Sequence, residues 1–223
     1  MPTVVLLHGM ARTARSMRPV ARALEARGFR VVNLDYPSRS GDIRTLAQRV
    51  AEEVARIDSD EPMHFVTHSL GGVLLRVGAA EGLISRERIA RVVMLAPPNG
   101  GSHVVDAFTR RPSLGRVYRW AMGPVGPELG VEGDAIAPSL PPLPFETGII
   151  AGSRSVNPLL SRLLPGENDG KVSVAHAAAP GMRAFIVVPH SHSFLMRAKV
   201  VLAQTVTFLE TGRFGDGGRD GPR

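Results

Sequence analysis

Short apolar runs alternate with amphipathic stretches along most of the chain. Six runs rich in β-branched residues predict strands, at residues 3–8, 29–35, 63–68, 89–96, 147–151 and 183–188. Four stretches with apolar residues three or four positions apart predict helices, at residues 13–27, 42–57, 73–80 and 193–209. Because this alternation is typical of βαβ units, we predict one α/β domain over residues 1–211, with a six-stranded, mostly parallel sheet and helices on both faces.

The alternation lapses between the fourth and fifth predicted strands. Residues 100–145 are crowded with glycine and proline and are too many for an ordinary connection. We therefore predict a short cap or lid above the sheet, with one or two short helices near residues 117–122. A further helical turn is predicted at 158–164, and the Gly-rich, charged residues 212–223 are predicted to be disordered.

The composition excludes several classes of protein. The chain has no cysteine, so disulfides, thiolate metal sites and cysteine nucleophiles are impossible. No apolar run approaches the roughly 18 residues of a membrane helix. The first residues lack the basic segment of a signal peptide, which favours a cytoplasmic location and leaves export of a trimmed precursor open.

The basic charge allows two interpretations. The formal charge is +7, and the basic residues are almost all arginine. An anionic partner is one explanation, but the arginines are mostly scattered and no nucleic-acid-binding motif accompanies them, so solvated faces are the preferred explanation. We expect a small-molecule partner and no nucleic acid, and we leave contact with a lipid interface open; the oligomeric state is not predicted.

The segment Thr67-His-Ser-Leu-Gly-Gly72 carries the strongest chemical signal. It joins a predicted strand to a predicted helix and places Ser69 between small residues. A sharp turn of this kind presents a serine hydroxyl at the carboxyl edge of a sheet, where it can act as a nucleophile. The usual pattern is Gly-x-Ser-x-Gly, so Thr67 departs from it at the first glycine.

A nucleophilic serine needs a base, and the base needs a group that orients it. After a strand–turn–helix serine the chain order is acid and then histidine, each on a loop at a strand end. Asp169 occupies the acid position, with Glu167 and then Asp106 as fallbacks. His192 follows the last strand and is preferred over its neighbour His190.

Two backbone N–H groups should complete the site by holding an oxyanion. Leu70 directly follows the serine at the start of its helix. Met10 lies in the loop after the first strand, next to Gly9, which permits close backbone approach.

Taken together, these motifs resemble the α/β-hydrolase superfamily, in particular its small bacterial lipases and esterases. The matching segments are residues 4–10, 65–72, 168–172 and 192–196, and the resemblance covers roughly residues 3–210. It implies a minimal α/β-hydrolase fold, because the two N-terminal antiparallel strands of larger relatives have no counterpart here.

The resemblance implies hydrolysis of carboxylic esters through a Ser69–His192–Asp169 triad. An insertion of about 40 residues can form only a small lid, which favours esters with short to medium acyl chains and leaves lipids open as substrates. The substrate pocket is expected to be apolar and to be lined by His68, Val104, Phe108, Trp120, Met122 and Leu143, near Met10 and Leu70. A thioesterase, amidase or lactonase would use the same groups. A non-catalytic binding protein of the same fold is a further alternative.

No cofactor or metal is predicted. The histidines are dispersed without ligand spacing, and no Gly-rich phosphate loop follows the first strand, which argues against a nucleotide-binding protein.

Overall fold

A computed structural model describes residues 1–59, 61–133 and 135–221. In these ranges seven strands form one sheet in the order β2-β1-β3-β4-β5-β6-β7. The strands are β1 (Thr3–Leu7), β2 (Arg30–Leu34), β3 (Met63–His68), β4 (Ile89–Leu95), β5 (Glu146–Gly152), β6 (Ala184–Val188) and β7 (Arg219–Asp220). Strands β1 to β6 pair in parallel, and β7 is antiparallel to β6.

Helices connect the strands on both faces of the sheet. In the described ranges they are α1 (Arg18–Glu25), α2 (Ile43–Ala55), α3 (Leu70–Ala80), α4 (His103–Thr109), α5 (Pro112–Met122), α6 (Val125–Glu128), α7 (Pro158–Ser161), α8 (Val174–Ala177) and α9 (Lys199–Thr211). Asp42 caps α2, since its side chain accepts a 2.7 Å hydrogen bond from the Thr45 N–H.

The core lies on both sides of the sheet because successive strand residues face opposite ways. In β1, Val5 and Leu7 pack with α2 and α3, whereas Val4 and Leu6 pack with α1 and α9. All four side chains are fully buried. Burial on both faces explains why β1 is an uninterrupted apolar run.

The predicted α/β architecture is confirmed, with a seventh strand added to the six expected. Strand β7 pairs Arg219 and Asp220 with Val187 and Ile186, inside the segment predicted to be disordered. Both β7 residues are exposed and charged, so they produce no apolar periodicity from which a strand could be predicted.

Two predicted helices begin later than expected. A 3₁₀ turn over Ala14–Met17 precedes α1, whose start is set by Pro19 in its first turn. The last helix begins at Lys199 instead of residue 193, because the chain first makes a turn in which the Phe194 and Leu195 N–H groups donate to the Ser191 carbonyl.

The Gly- and Pro-rich segment at 100–145 contains α4, α5, α6 and a 3₁₀ turn at Ala137–Ser139. Arg76 of α3 holds the C-terminal part of this segment against the core. The buried guanidinium donates hydrogen bonds to the carbonyls of Ala137, Leu140 and Pro141 and to Asn99 Oδ1, at 3.1–3.3 Å. Burial lowers the pKa of Arg76 to about 10.

Candidate active site

Ser69 lies on a sharp turn between β3 and α3. Its backbone has φ 52° and ψ −119°, in a region that residues other than glycine seldom occupy. The Ser69 N–H donates to the Leu95 carbonyl at 2.9 Å, which fixes the turn to the end of β4. Strain of this kind costs about 1–3 kcal/mol and is found chiefly at functional sites.

Glycine two residues after Ser69 lets α3 approach the sheet. A Cβ atom at Gly71 would lie 2.6 Å from the Leu7 carbonyl oxygen of β1, which is too close for any side chain. The second glycine of the elbow pattern is therefore required by backbone packing.

Thr67, at the first glycine position of the pattern, is fully buried in β3. Its hydroxyl points towards α3, where a Cβ at Gly72 would lie 3.1 Å from Oγ1. Gly72 thus provides the space that the larger Thr67 side chain occupies. The Thr67 hydroxyl is buried and has no hydrogen-bond partner in the described part of the chain.

Asp169 and His192 form a buried hydrogen-bonded pair. His192 Nδ1 lies 2.7 Å from Asp169 Oδ2, and the two side chains are 5% and 1% exposed. The other carboxylate oxygen, Oδ1, accepts the N–H groups of Lys171 and Val172 at 2.9 and 2.8 Å. These bonds orient Oδ2 towards the imidazole, and the pairing leaves His192 Nε2 as the nitrogen available to a substrate or a hydroxyl.

Ser69 and His192 line the same cavity. The Ser69 hydroxyl makes no hydrogen bond with the described part of the chain. Catalytic hydrogen bonds of this type often tighten only when substrate is bound.

His68 forms a hydrogen bond with the backbone of the His192 loop. Its Nε2 is 3.0 Å from the His192 carbonyl oxygen, and because a carbonyl only accepts, Nε2 carries the proton. The imidazole rings of the two residues lie 4.9 Å apart. Burial, reinforced by the charge of His192 when protonated, holds the pKa of His68 well below its usual value, so His68 is neutral.

Met10, the second predicted oxyanion donor, lies in the loop after β1. Neither the Met10 N–H nor the Leu70 N–H donates a hydrogen bond within the described residues. The loop itself is firmly held: the Tyr36 hydroxyl donates to the His8 carbonyl, and the Ala11 N–H donates to Ser38 Oγ at 3.1 Å. A Cβ at Gly9 would lie 2.8 Å from His68 Nδ1, so only glycine fits against the elbow.

The cavity has a volume of about 390 Å³. The predicted residues His68, Val104, Phe108 and Met122 contribute to its wall, as does Met10. Trp120 and Leu143 do not: Trp120 is 88% exposed, and Leu143 is buried in the core.

Sequence reasoning missed a further part of the wall. Tyr118 of α5, Leu160 of α7 and Lys171 of the acid loop also line the cavity. They come from three separated segments, and only the spacing of Tyr118, four residues before Met122, could have indicated a shared face.

The fallback residues occupy other environments. His190 does not pair with Asp169, and Glu167 is exposed and ion-paired with Arg219. Asp106 is buried in α4, where its carboxylate accepts the Val131 N–H at 3.0 Å. Its bonds are those of a structural carboxylate that fastens the 100–145 segment.

A mostly parallel sheet with a strained serine turn after β3 is the architecture of an α/β hydrolase. The sequence pattern of the Alpha/beta hydrolase family matches residues 4–205, and the chain belongs to this family. No curated protein matches the chain.

Solved structures of lipases and esterases share the fold. Mature lipase BlEst2 from Bacillus licheniformis is 16% identical, with a TM-score of 0.73, over 96% of this chain and 92% of the lipase. Phospholipase PlaB from Legionella pneumophila is 17% identical, with a TM-score of 0.62, over 95% of this chain and 57% of PlaB. The methylesterase MES16 from Arabidopsis is 14% identical, with a TM-score of 0.59, over 94% of this chain and 99% of MES16.

No helix in the described residues is long and apolar enough to cross a membrane. No group of three or more metal-ligating side chains occurs among them.

Proposed function

We propose that the protein is a serine hydrolase that cleaves carboxylic esters with short to medium acyl chains. The observation that carries the proposal is the His192–Asp169 hydrogen bond of 2.7 Å in the cavity that Ser69 also lines. Family membership makes a hydrolase the natural class for this constellation.

In the proposed reaction, His192 Nε2 takes the proton of Ser69 as Oγ attacks the ester carbonyl. Asp169 Oδ2 accepts the Nδ1–H bond, which fixes the imidazole tautomer and stabilises the imidazolium that forms. The N–H groups of Met10 and Leu70 hold the oxyanion. His192 then protonates the departing alcohol, and water repeats the cycle on the acyl-enzyme.

The size of the cavity supports the acyl range. Ligand pockets commonly measure roughly 300–1,000 Å³, and about 390 Å³ is near the lower limit. Aliphatic and aromatic side chains such as Val104 and Phe108 suit an acyl chain. A rate maximum above about twelve carbons in a series of nitrophenyl esters would contradict this range, since such a chain needs a larger or more open groove.

The direct test compares the wild-type protein with Ser69→Ala and Asp169→Asn on one ester. Loss of Ser69 should lower kcat by roughly 10⁴- to 10⁶-fold, and Asp169→Asn should lower it by about 10⁴-fold through the wrong imidazole tautomer. Retention of more than a few per cent of the rate by Ser69→Ala would refute the assignment.

The same assay ranks the substrate classes. Ester, thioester, lactone and amide substrates with one common acyl group should be compared, because the same nucleophile can attack each of them. We expect the ester to have the highest kcat/KM. A higher value for a thioester, lactone or amide would reassign the substrate while leaving the role of Ser69 intact.

A further inference from the structure

Large exposed apolar side chains are concentrated beside the mouth of the cavity. Eight such residues occur in the described chain, and six of them lie in two segments, 111–122 and 154–163. The six are Leu114, Val117, Trp120, Val156, Leu159 and Leu163. We call these two segments the mouth surface. Clustered exposure of this kind marks an interaction site, whereas scattered single residues do not.

Both segments border the same opening. Leu114 and Val117 of α5 and Leu160 of α7 line the cavity that contains Ser69. On α5, residues 114, 117 and 120 recur every three positions and so share one side of the helix. Trp120, at 88% exposure, extends this row away from the cavity.

The mouth surface is also strongly cationic. It carries five exposed arginines, at positions 111, 116, 119, 154 and 162. No aspartate or glutamate occurs in residues 107–127 or 153–166. None of the five arginines forms an ion pair within the described residues, whereas the neighbouring Arg110 pairs with Glu132 at 2.7 Å.

We propose that the mouth surface binds an anionic lipid surface and holds the cavity opening against it. The arginines match lipid phosphates, and the aliphatic side chains match the acyl boundary just below them. Tryptophan favours this interface, because its ring is apolar while its N–H remains polar. The inference depends on the surface alone and does not require the proposed hydrolysis.

The charge and the apolar side chains of the mouth surface favour an anionic lipid surface over a second copy of the chain or a nucleic acid. A second copy of the chain, docked by the same face, would bring arginines against arginines across a two-fold axis. A nucleic acid would satisfy the arginines but would leave Val117, Trp120 and Leu159 against phosphates. An anionic lipid surface complements both the charge and the apolar side chains.

Trp120 is the one tryptophan of the chain, so its fluorescence reports on the environment of the mouth surface. Trp120 emission should be recorded while vesicles of phosphatidylcholine, with or without phosphatidylglycerol, are added. We expect a blue shift and co-sedimentation with the anionic vesicles. The binding should weaken when salt is raised from about 0.1 M to about 1 M, since the Debye length falls to roughly 3 Å.

Charge-reversal variants locate the contact. Each arginine near an anionic surface contributes about fivefold to partitioning, so Arg116→Glu with Arg119→Glu should lower it at least about 25-fold. The matched control is Arg49→Glu with Arg86→Glu, an equal charge change on α2 and in the 3₁₀ turn Arg86–Arg88 that precedes β4. It should reduce partitioning much less.

An apolar variant tests the second component. Val156→Ser with Leu159→Ser retains Trp120 and removes two side chains that are 71% and 72% exposed. It should bind more weakly and should give a smaller blue shift. Unchanged thermal midpoints would show that the variants are folded.

Several results would overturn the proposal. They are absence of binding to anionic vesicles, equal binding to neutral vesicles at both salt concentrations, and equal losses in the mouth-surface and control variants. A blue shift that depends on protein concentration without vesicles, together with a doubled mass, would assign the surface to a second copy. Binding should persist in Ser69→Ala, so failure of the proposed hydrolysis remains distinguishable from failure of docking.

Discussion

Replacing Thr67 by valine should stabilise the protein. Thr67 is fully buried, and its hydroxyl has no hydrogen-bond partner in the described part of the chain. A buried hydroxyl without a partner costs about 1–3 kcal/mol relative to water. Valine has the same branched shape, and the glycine at position 72 leaves space beside the substituted atom.

The expected gain is about 1–2 kcal/mol in the free energy of unfolding, because a small part of the hydroxyl's cost is offset by steric adjustment around the new methyl group. For a chain of this length that corresponds to a rise in Tm of about 2–8 °C. Denaturant titration and calorimetry would measure it. The rate on an ester should not change, since Ser69 keeps its backbone geometry.

The matched control is Thr147→Val in β5. Thr147 is equally buried, but its hydroxyl donates to the Phe145 carbonyl at 3.1 Å. Loss of that bond should cost about 0.5–1.5 kcal/mol. If Thr67→Val lowered the free energy of unfolding as much as Thr147→Val, the Thr67 hydroxyl would have a hydrogen-bond partner. The expected stabilisation would then be refuted.

Three further predictions concern the site and its supports. Gly9→Ala should lower kcat by about 10- to 100-fold, because its Cβ would lie 2.8 Å from His68 Nδ1 and displace the oxyanion loop; Gly215→Ala, whose Cβ would meet nothing closer than 3.8 Å, should leave kcat unchanged. Stability should fall as the pH drops below about 6.5, because burial lowers the pKa of His68 in the folded protein and the unfolded chain then binds more protons; denaturant titrations at decreasing pH would show a smaller loss for His68→Gln, and an identical pH dependence would contradict the assignment. Arg76→Met should cost about 2–4 kcal/mol by leaving the carbonyls of residues 137–141 without their donor, and a neutral effect in thermal unfolding would show that this segment is held by other contacts.

The framework of the site could be predicted from sequence because each element has a local signal. Ser69 follows an apolar strand and precedes glycines, and the Asp169 and His192 loops lie after later strands. Parallel strands bring their carboxyl ends to one edge, so chain order alone indicates which loops meet. In the structure the imidazole that contacts Asp169 is that of His192, and the catalytic role of His192 stays a prediction.

The cavity wall and the tail were less predictable. Trp120 and Met122 are two residues apart on α5, and their opposite environments depend on how that short helix docks. Leu160 reaches the cavity from beyond β5, a contact with no sequence periodicity. Strand β7 consists of two charged residues that pair with the distant, apolar Val187 and Ile186, and two charged residues give no periodic pattern from which a strand could be predicted.

The central claim is that Ser69 is an activated nucleophile oriented by His192 and Asp169. A fluorophosphonate probe measures this directly, because it reacts covalently with activated serines and needs no knowledge of the natural substrate. Peptide mass spectrometry should find one adduct, on Ser69, whose formation is lost in Ser69→Ala and greatly slowed in Asp169→Asn. Absence of labelling in the folded wild-type protein, or an adduct on another serine, would contradict the account.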